Sequence, residues 1–222
     1  MKSLFSLLGC AALALAVSES HSSATIVFNN TTGDLGKDFV VPTSVEVGDE
    51  IKLSTGASAI LTNFNFQYFL TGTTTGNESA RVRFYKNDGA PSSAGPNTPS
   101  TVLFDSGFFH IDPTTRLVLT FDSSVGAPFP LVVPNDFTWS IVFNNLDPAG
   151  TAGLTLYNPP SVGLDSAEYW DKSSGSWVLK SAANGSSINF AAQVQAVPEP
   201  GTFALIGLAG LGLAAARRFR KN

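Results

Sequence analysis

The sequence predicts an all-β protein, an antiparallel β-sandwich of jelly-roll kind, and three observations support this fold class. Apolar and polar residues alternate at a period of two in a series of short segments between residues 25 and 197. Turn-forming sequences such as Asn87-Asp88-Gly89 and Asn184-Gly185 separate several of these segments. No helix of useful length is predicted between them. About ten strands at this spacing favour two packed sheets.

The individual strands are predicted from the apolar face of each segment. One side of each strand should be buried and the other wet, which is the antiparallel pattern. The clearest apolar sets are Phe64, Phe66, Tyr68 and Leu70; Ala80, Val82 and Phe84; Leu117, Leu119 and Phe121; Phe137, Trp139, Ile141 and Phe143; and Ile188, Phe190, Ala192 and Val194. Shorter strands are predicted at residues 25–28, 50–53, 102–105, 154–157 and 177–180, with a long surface loop at 87–100.

Charge and cysteine content narrow the function classes. Residues 25–197 contain eight Lys and Arg against fifteen Asp and Glu, a formal charge of −7. So acidic a body does not favour nucleic acid or anionic lipid, which bind through basic patches. The single cysteine, Cys10, lies outside this body, which therefore has no disulfide and relies on its core and hydrogen bonds.

The first 24 residues have the layout of a secretory signal peptide. Lys2 precedes an apolar run over residues 4–17, and Ser22-Ser23-Ala24 supplies small residues at the positions that signal peptidase reads. We expect a helical signal, residues 1–24, that is cleaved after Ala24, with residues 14–16 as the alternative cleavage site. Residues 7–10 resemble a lipoprotein box but lie within the apolar run, so lipidation is not the favoured interpretation.

The last 25 residues contain a short apolar helix between two other signals. Residues 202–216 carry no charge and would form about 22 Å of helix. This segment is shorter than the ~20 residues that a helix needs to cross a bilayer core. Pro198 and Pro200 resist helix, so the helix should begin at or after Gly201. The basic residues that follow should stay on the cytoplasmic side and stop transfer; they are Arg217, Arg218, Arg220 and Lys221.

Together, Val197-Pro198-Glu199-Pro200, the Gly-rich apolar segment and the basic cluster resemble the PEP-CTERM sorting signal of bacterial exported proteins. The resemblance covers residues 197–222. It implies that an exosortase, a membrane transpeptidase-like enzyme, recognises Pro198, Glu199 and Pro200 and processes the chain near them. On this basis residues 25–197 form the β-sandwich domain and residues 198–222 the sorting signal. A plain single-pass anchor explains neither the motif nor the short helix.

Candidate catalytic groups are few in the body. His110 is the only histidine of residues 25–197, and one imidazole without cysteines does not complete the usual zinc set. Glycoside hydrolysis needs two carboxylates at a set separation across a sugar, which the sequence does not display. We therefore expect no enzymatic activity and no catalytic residues, and keep glycoside hydrolysis as a third hypothesis. Its candidate residues would be Glu46, Glu50, Glu78 and Glu168.

Calcium is the cofactor that the acidic residues could bind, since their carboxylate oxygens are the ligands that hard cations prefer. Asp34 and Asp38 bracket a Gly-containing turn. A second acidic segment contains Asp165, Glu168 and Asp171. Neither follows the EF-hand spacing, and turn-forming or solvating roles are the favoured interpretation. No metal ligands are assigned.

Aromatic residues in the last third of the body offer platforms for sugar rings. Trp170 and Trp177 are the candidates, with Tyr157 and Tyr169 near them in sequence. Core packing is the alternative role for both tryptophans, because aromatic residues in strands are more often buried.

These observations lead to one main hypothesis and one alternative. We expect an exported, non-enzymatic β-sandwich protein with a structural or adhesive role. It would be processed by signal peptidase and exosortase and held transiently in the inner membrane by its C-terminal helix. Its destination would be the cell surface or the extracellular matrix. The alternative is a carbohydrate-binding module whose partner is an extracellular polysaccharide. Calcium could assist this binding.

Overall fold

The computed structural model describes residues 23–92, 95–125, 129–182 and 185–198. The predicted signal helix and the predicted C-terminal transmembrane helix lie outside these residues. Among the residues described, no helix is long and apolar enough to cross a membrane.

The described chain is built almost entirely of strands, and its one helical element is a 3-10 turn, Ser123–Val125. The strands are β1 (Thr25–Asn29), β2 (Asp34–Val40), β3 (Glu46–Lys52), β4 (Ala59–Gly72), β5 (Ser79–Lys86), β6 (Val102–Asp105), β7 (Phe109–His110), β8 (Thr114–Asp122), β9 (Leu131–Val133), β10 (Asp136–Asn144), β11 (Gly150–Tyr157), β12 (Leu164–Asp165), β13 (Tyr169–Asp171), β14 (Val178–Lys180) and β15 (Ala192–Pro198).

These strands form two antiparallel sheets. The first has seven strands in the order β1-β15-β4-β11-β2, with β8 and β9 also paired to β4. The second has eight strands in the order β14-β13-β3-β10-β5-β6, with β12 paired to β3 and β7 to β5. The all-β class and the two antiparallel sheets agree with the sequence, whereas the jelly-roll connectivity stays a prediction.

The two sheets share one aromatic core. The ring of Phe64 on β4 lies 4.9 Å from Phe84 on β5 and 5.3 Å from Trp139 on β10, measured between centroids. Trp139 also lies 6.0 Å from Phe190. All four side chains are at most 1% exposed. The alternation predicted for β4, β5 and β10 is therefore confirmed, because in each strand the apolar set faces the opposite sheet.

Other sequence predictions differ from the structure at the sheet margins. Leu117 on β8 is 40% exposed, although its apolar neighbours suggested a buried face. Among the described residues β8 pairs with β4 alone, so it is an edge strand of its sheet. The segment from Asp34 to Val40, interpreted as a turn, is strand β2, and the last strand begins at Ala192 rather than Ile188.

The strand registers place the two ends of the body together. Thr25 of β1 pairs with Ala196 of β15, and Pro198 of β15 pairs with Ala59 of β4. We call this end of the sheets the terminal pole. Glu46, at the start of β3, pairs with Val142 near the end of β10 and so lies toward the other end, the distal pole.

Candidate functional site

A cleft of about 330 Å³ lies on the outer face of the eight-stranded sheet, toward the distal pole. The strands β3, β10 and β5 form its floor, because alternate residues of each point outward while their neighbours fill the core. We call this cleft the Glu46 groove. Its lining residues are Ser44, Glu46, Arg83, Phe108, Val142, Asn144, Lys172 and Gly175.

Glu46 is the centre of a hydrogen-bond network in the floor. Its Oε1 accepts hydrogen bonds from the Ser140 hydroxyl at 2.7 Å and the Tyr85 hydroxyl at 2.9 Å. Its Oε2 accepts from Arg83 Nη1 at 2.8 Å. Burial alone would raise the pKa of Glu46, but these hydrogen bonds and the charge of Arg83 hold it below its ordinary value. Glu46 is therefore ionised at neutral pH.

A second carboxylate, Asp105 on β6, extends the network away from Glu46. Asp105 accepts hydrogen bonds from Arg81 Nε at 2.7 Å and from Arg83 Nε at 3.1 Å. These contacts, that of Arg81 above all, keep the pKa of Asp105 well below its ordinary range. The Arg81 guanidinium also lies 5.6 Å from the ring centroid of Phe108, which is half exposed. Both arginines are thus held in fixed orientations by paired charges.

Lys172 lines another part of the groove, and Trp177 lies beside it. The Lys172 backbone N–H donates to the Glu46 carbonyl at 3.0 Å, which fixes the segment after β13 against the sheet. Its ammonium lies 5.0 Å from the Trp177 ring centroid and 6.0 Å from that of Tyr85. Trp177 meets the buried Tyr85 edge-on at 5.5 Å but keeps part of its own surface exposed. A partly exposed aromatic ring and a cation therefore lie next to each other at the edge of the groove.

The chain also carries a sorting segment that overlaps the last strand. A family model described as PEP-CTERM protein-sorting motif matches residues 196–221. The chain therefore carries a PEP-CTERM sorting motif, which supports its identification as an exosortase substrate. No curated protein matches it.

The start of the PEP-CTERM match lies inside the folded body. Ala196 and Pro198 are paired residues of β15 as well as members of the matched segment. Glu199, Pro200 and the basic residues from Arg217 to Lys221 lie outside the described residues. The roles assigned to these residues, and to Ala24 in signal cleavage, stay predictions.

The structure separates the two tryptophans that were predicted as sugar platforms. Trp170 on β13 is 0% exposed, so its ring offers no face to a ligand and the platform prediction for this residue is wrong. Its partner across the strands is Gly48 of β3. Trp177, in contrast, lies beside the Glu46 groove.

The candidate acids for glycoside hydrolysis have different hydrogen-bond partners in the structure. Glu78 accepts hydrogen bonds from the backbone of Thr75 at 2.6 Å and Gly76 at 2.9 Å, which closes a turn and holds its pKa below the ordinary value. Glu168 accepts from the Ser166 hydroxyl at 2.6 Å. His110 lies on an exposed strand end, 3.2 Å from Asp112.

The candidate calcium residues also have separate partners. Asp34 and Asp38 both pair with Arg116 across β2 and β8, and Asp34 accepts a hydrogen bond from the Gly36 backbone at 2.7 Å. Asp171 pairs with Lys180 at 3.0 Å. Within the described ranges, no group of three or more His, Cys, Asp and Glu side chains is arranged to hold a metal ion. Calcium stays a prediction without a ligand set.

Sequence analysis missed a buried pair of carboxyl groups, Asp49 and Asp165. Asp49 Oδ2 accepts a hydrogen bond from the Phe190 N–H at 2.8 Å. Its other oxygen and both oxygens of Asp165 are shielded from solvent and have no donor among the described residues. Burial raises the pKa of Asp49 to about 7, and burial together with the Asp49 charge raises the pKa of Asp165. The two side chains interact, so one shared proton supplies the missing hydrogen bond.

Proposed function

We propose that this exported PEP-CTERM protein is not an enzyme and has a structural or adhesive role at the cell surface or in the extracellular matrix. The sorting motif implies export and processing by exosortase, and it is the observation that carries the proposal. The body that would be delivered is a pair of sheets with a continuous aromatic core. Signal peptidase would remove residues 1–24, and a transient C-terminal membrane helix would hold the chain until exosortase acts.

The sorting part is tested by replacing Pro198, Glu199 and Pro200 with alanine in the native host. The intact mass of the protein from surface and membrane fractions is the measurement. We expect the wild-type mass to match a chain that starts near Thr25 and ends near Pro198, and the variant to stay in the membrane with its tail. The exposed substitution Val178→Ala serves as a control that should be processed normally. Normal processing of the motif variant would contradict the proposal.

A second candidate function is saccharide binding in the Glu46 groove. The observation that favours it is the partly exposed Trp177 ring beside the Lys172 ammonium, above a floor of oriented polar groups. Sugars present an apolar ring face that packs on aromatic side chains and hydroxyl groups that bond to charged residues. This function would give the protein its adhesive contact with an extracellular polysaccharide, and Trp177 takes the role first considered for Trp170.

Saccharide binding is tested on a glycan array with wild-type protein and the Trp177→Ala variant. Leu164→Ala, which removes an exposed apolar side chain outside the groove, is the matched control. Loss of binding in Trp177→Ala alone supports the groove as the binding site. Addition of EDTA tests whether calcium assists. Turnover of any polysaccharide in the same panel would overturn the non-enzymatic role.

A further inference from the structure

The Glu46 groove carries a positive charge on an otherwise acidic body. Its lining contains two cations, Arg83 and Lys172, and one anion, Glu46, in a body of formal charge −7. The adjacent ion pair of Arg81 and Asp105 adds no net charge. The local excess of one positive charge would attract an anionic group, while the surrounding acidic surface would repel anions elsewhere.

The excess charge is located on Lys172 rather than on the arginines. Arg83 lies between two carboxylates, which leaves little of its charge for a ligand. Lys172 Nζ is 3.6 Å from Glu46 Oε2, which is beyond hydrogen-bond distance. The Glu46 oxygens are already bonded to Ser140, Tyr85 and Arg83. The ammonium of Lys172 therefore has N–H groups to donate into the groove.

The position of this ammonium relative to Trp177 restricts what the anion can be attached to. The ammonium lies 5.0 Å from the centroid of the partly exposed indole, so a ligand of sugar size on Lys172 can also reach the ring. An inorganic ion would use the cation and leave the ring uncovered. A sugar that bears an acidic group can place its apolar face on the ring and the acidic group on the cation.

We propose that the Glu46 groove binds an acidic saccharide, with the anionic group of one sugar on Lys172 and the ring face of that sugar on Trp177. This proposal rests on the saccharide-binding function proposed above and names its ligand class. The anionic group is a carboxylate or a sulfate, which share the chemistry that an ammonium recognises.

The test compares polygalacturonate, dextran sulfate and neutral dextran as ligands of the full-length protein. Lys172→Gln removes the groove cation, and Lys37→Gln removes an exposed lysine of β2 as the matched control. We expect the wild type to prefer an acidic polymer over dextran. Lys172→Gln should weaken acidic binding about fivefold, the effect of one partly exposed ion pair, and Lys37→Gln should leave it unchanged. Added salt should weaken acidic binding in the wild type and in Lys37→Gln more than in Lys172→Gln.

The outcomes separate the two proposals. Preference for polygalacturonate or for dextran sulfate identifies which acidic group is bound. Equal binding of dextran and both acidic polymers, lost in Trp177→Ala, would overturn the acidic ligand and leave saccharide binding standing. Binding to none of the three, and to no glycan of the array, would overturn both. Thermal unfolding of Lys172→Gln confirms that its fold is intact, and Lys172→Arg should restore acidic binding.

Discussion

The buried pair Asp49 and Asp165 predicts that the body loses stability as the pH rises above 5. In the unfolded chain an aspartate has a pKa of about 3.9, whereas burial raises that of Asp49 to about 7 in the folded state. Between these values the folded protein holds a proton that the unfolded chain has lost. Stability therefore falls as the pH rises through this range and levels off above the folded pKa.

The expected size follows from those two pKa values. One proton held between them is worth about 1.4 kcal/mol per pH unit, which gives on the order of 3 kcal/mol between pH 5 and pH 8. The pKa of Glu50, raised mainly by burial, adds to the fall with the same sign. The carboxyls whose pKa is lowered, such as Glu46, titrate below this range and do not oppose it.

Urea unfolding of the full chain at pH 5 and pH 8 measures the effect. Asp49→Asn removes the carboxyl whose folded pKa lies near 7, so the fall between the two pH values should be smaller than in the wild type. Asp38→Asn, which removes an exposed carboxylate, should keep the wild-type fall. Equal wild-type stability at pH 5 and pH 8, or an unchanged fall in Asp49→Asn, would refute the raised pKa.

Three further predictions concern packing and the groove floor. Trp139→Ala removes a fully buried ring that contacts Phe64 and Phe190, and should lower the free energy of unfolding by about 3–5 kcal/mol in urea titrations; a loss below about 1 kcal/mol would contradict the shared core. Gly153→Ala places a Cβ 2.1 Å from the Phe39 carbonyl oxygen. The melting temperature should therefore fall, and the free energy of unfolding should decrease by about 1–3 kcal/mol. Glu46→Gln leaves Arg83 without one of its carboxylates and should cost about 1–3 kcal/mol in the same unfolding assay, whereas full stability would show that the network contributes nothing.

The central strands could be predicted from sequence because their two faces differ. In β4, Phe64 and Phe66 alternate with Asn63 and Asn65, and the strand lies in the middle of its sheet with one face on the core. Strand β2 could not be predicted this way. It is an edge strand whose residues are nearly all exposed, so its sequence carries no apolar face.

The candidate site depends on pairings that the local sequence does not contain. Glu46, Arg83 and Lys172 come from distant segments and meet only through the order of β13, β3, β10 and β5. Trp170 meets Gly48, more than a hundred positions away, only through the pairing of β13 with β3. A signal for the buried acid was present, since Asp49 falls between Val47 and Ile51 on the apolar face of β3.

The pairing of Thr25 with Ala196 also determines how the body would carry mechanical load. A tether at Pro198 and a ligand in the Glu46 groove would pull from opposite poles, along the strand direction. Strand β15 is hydrogen-bonded to β1 on one side and β4 on the other, so its bonds would be loaded together in shear. Traction between Thr25 and Pro198 would instead open the same pole one bond at a time. We expect single-molecule pulling between residues 144 and 198 to need a larger force than pulling between residues 25 and 198.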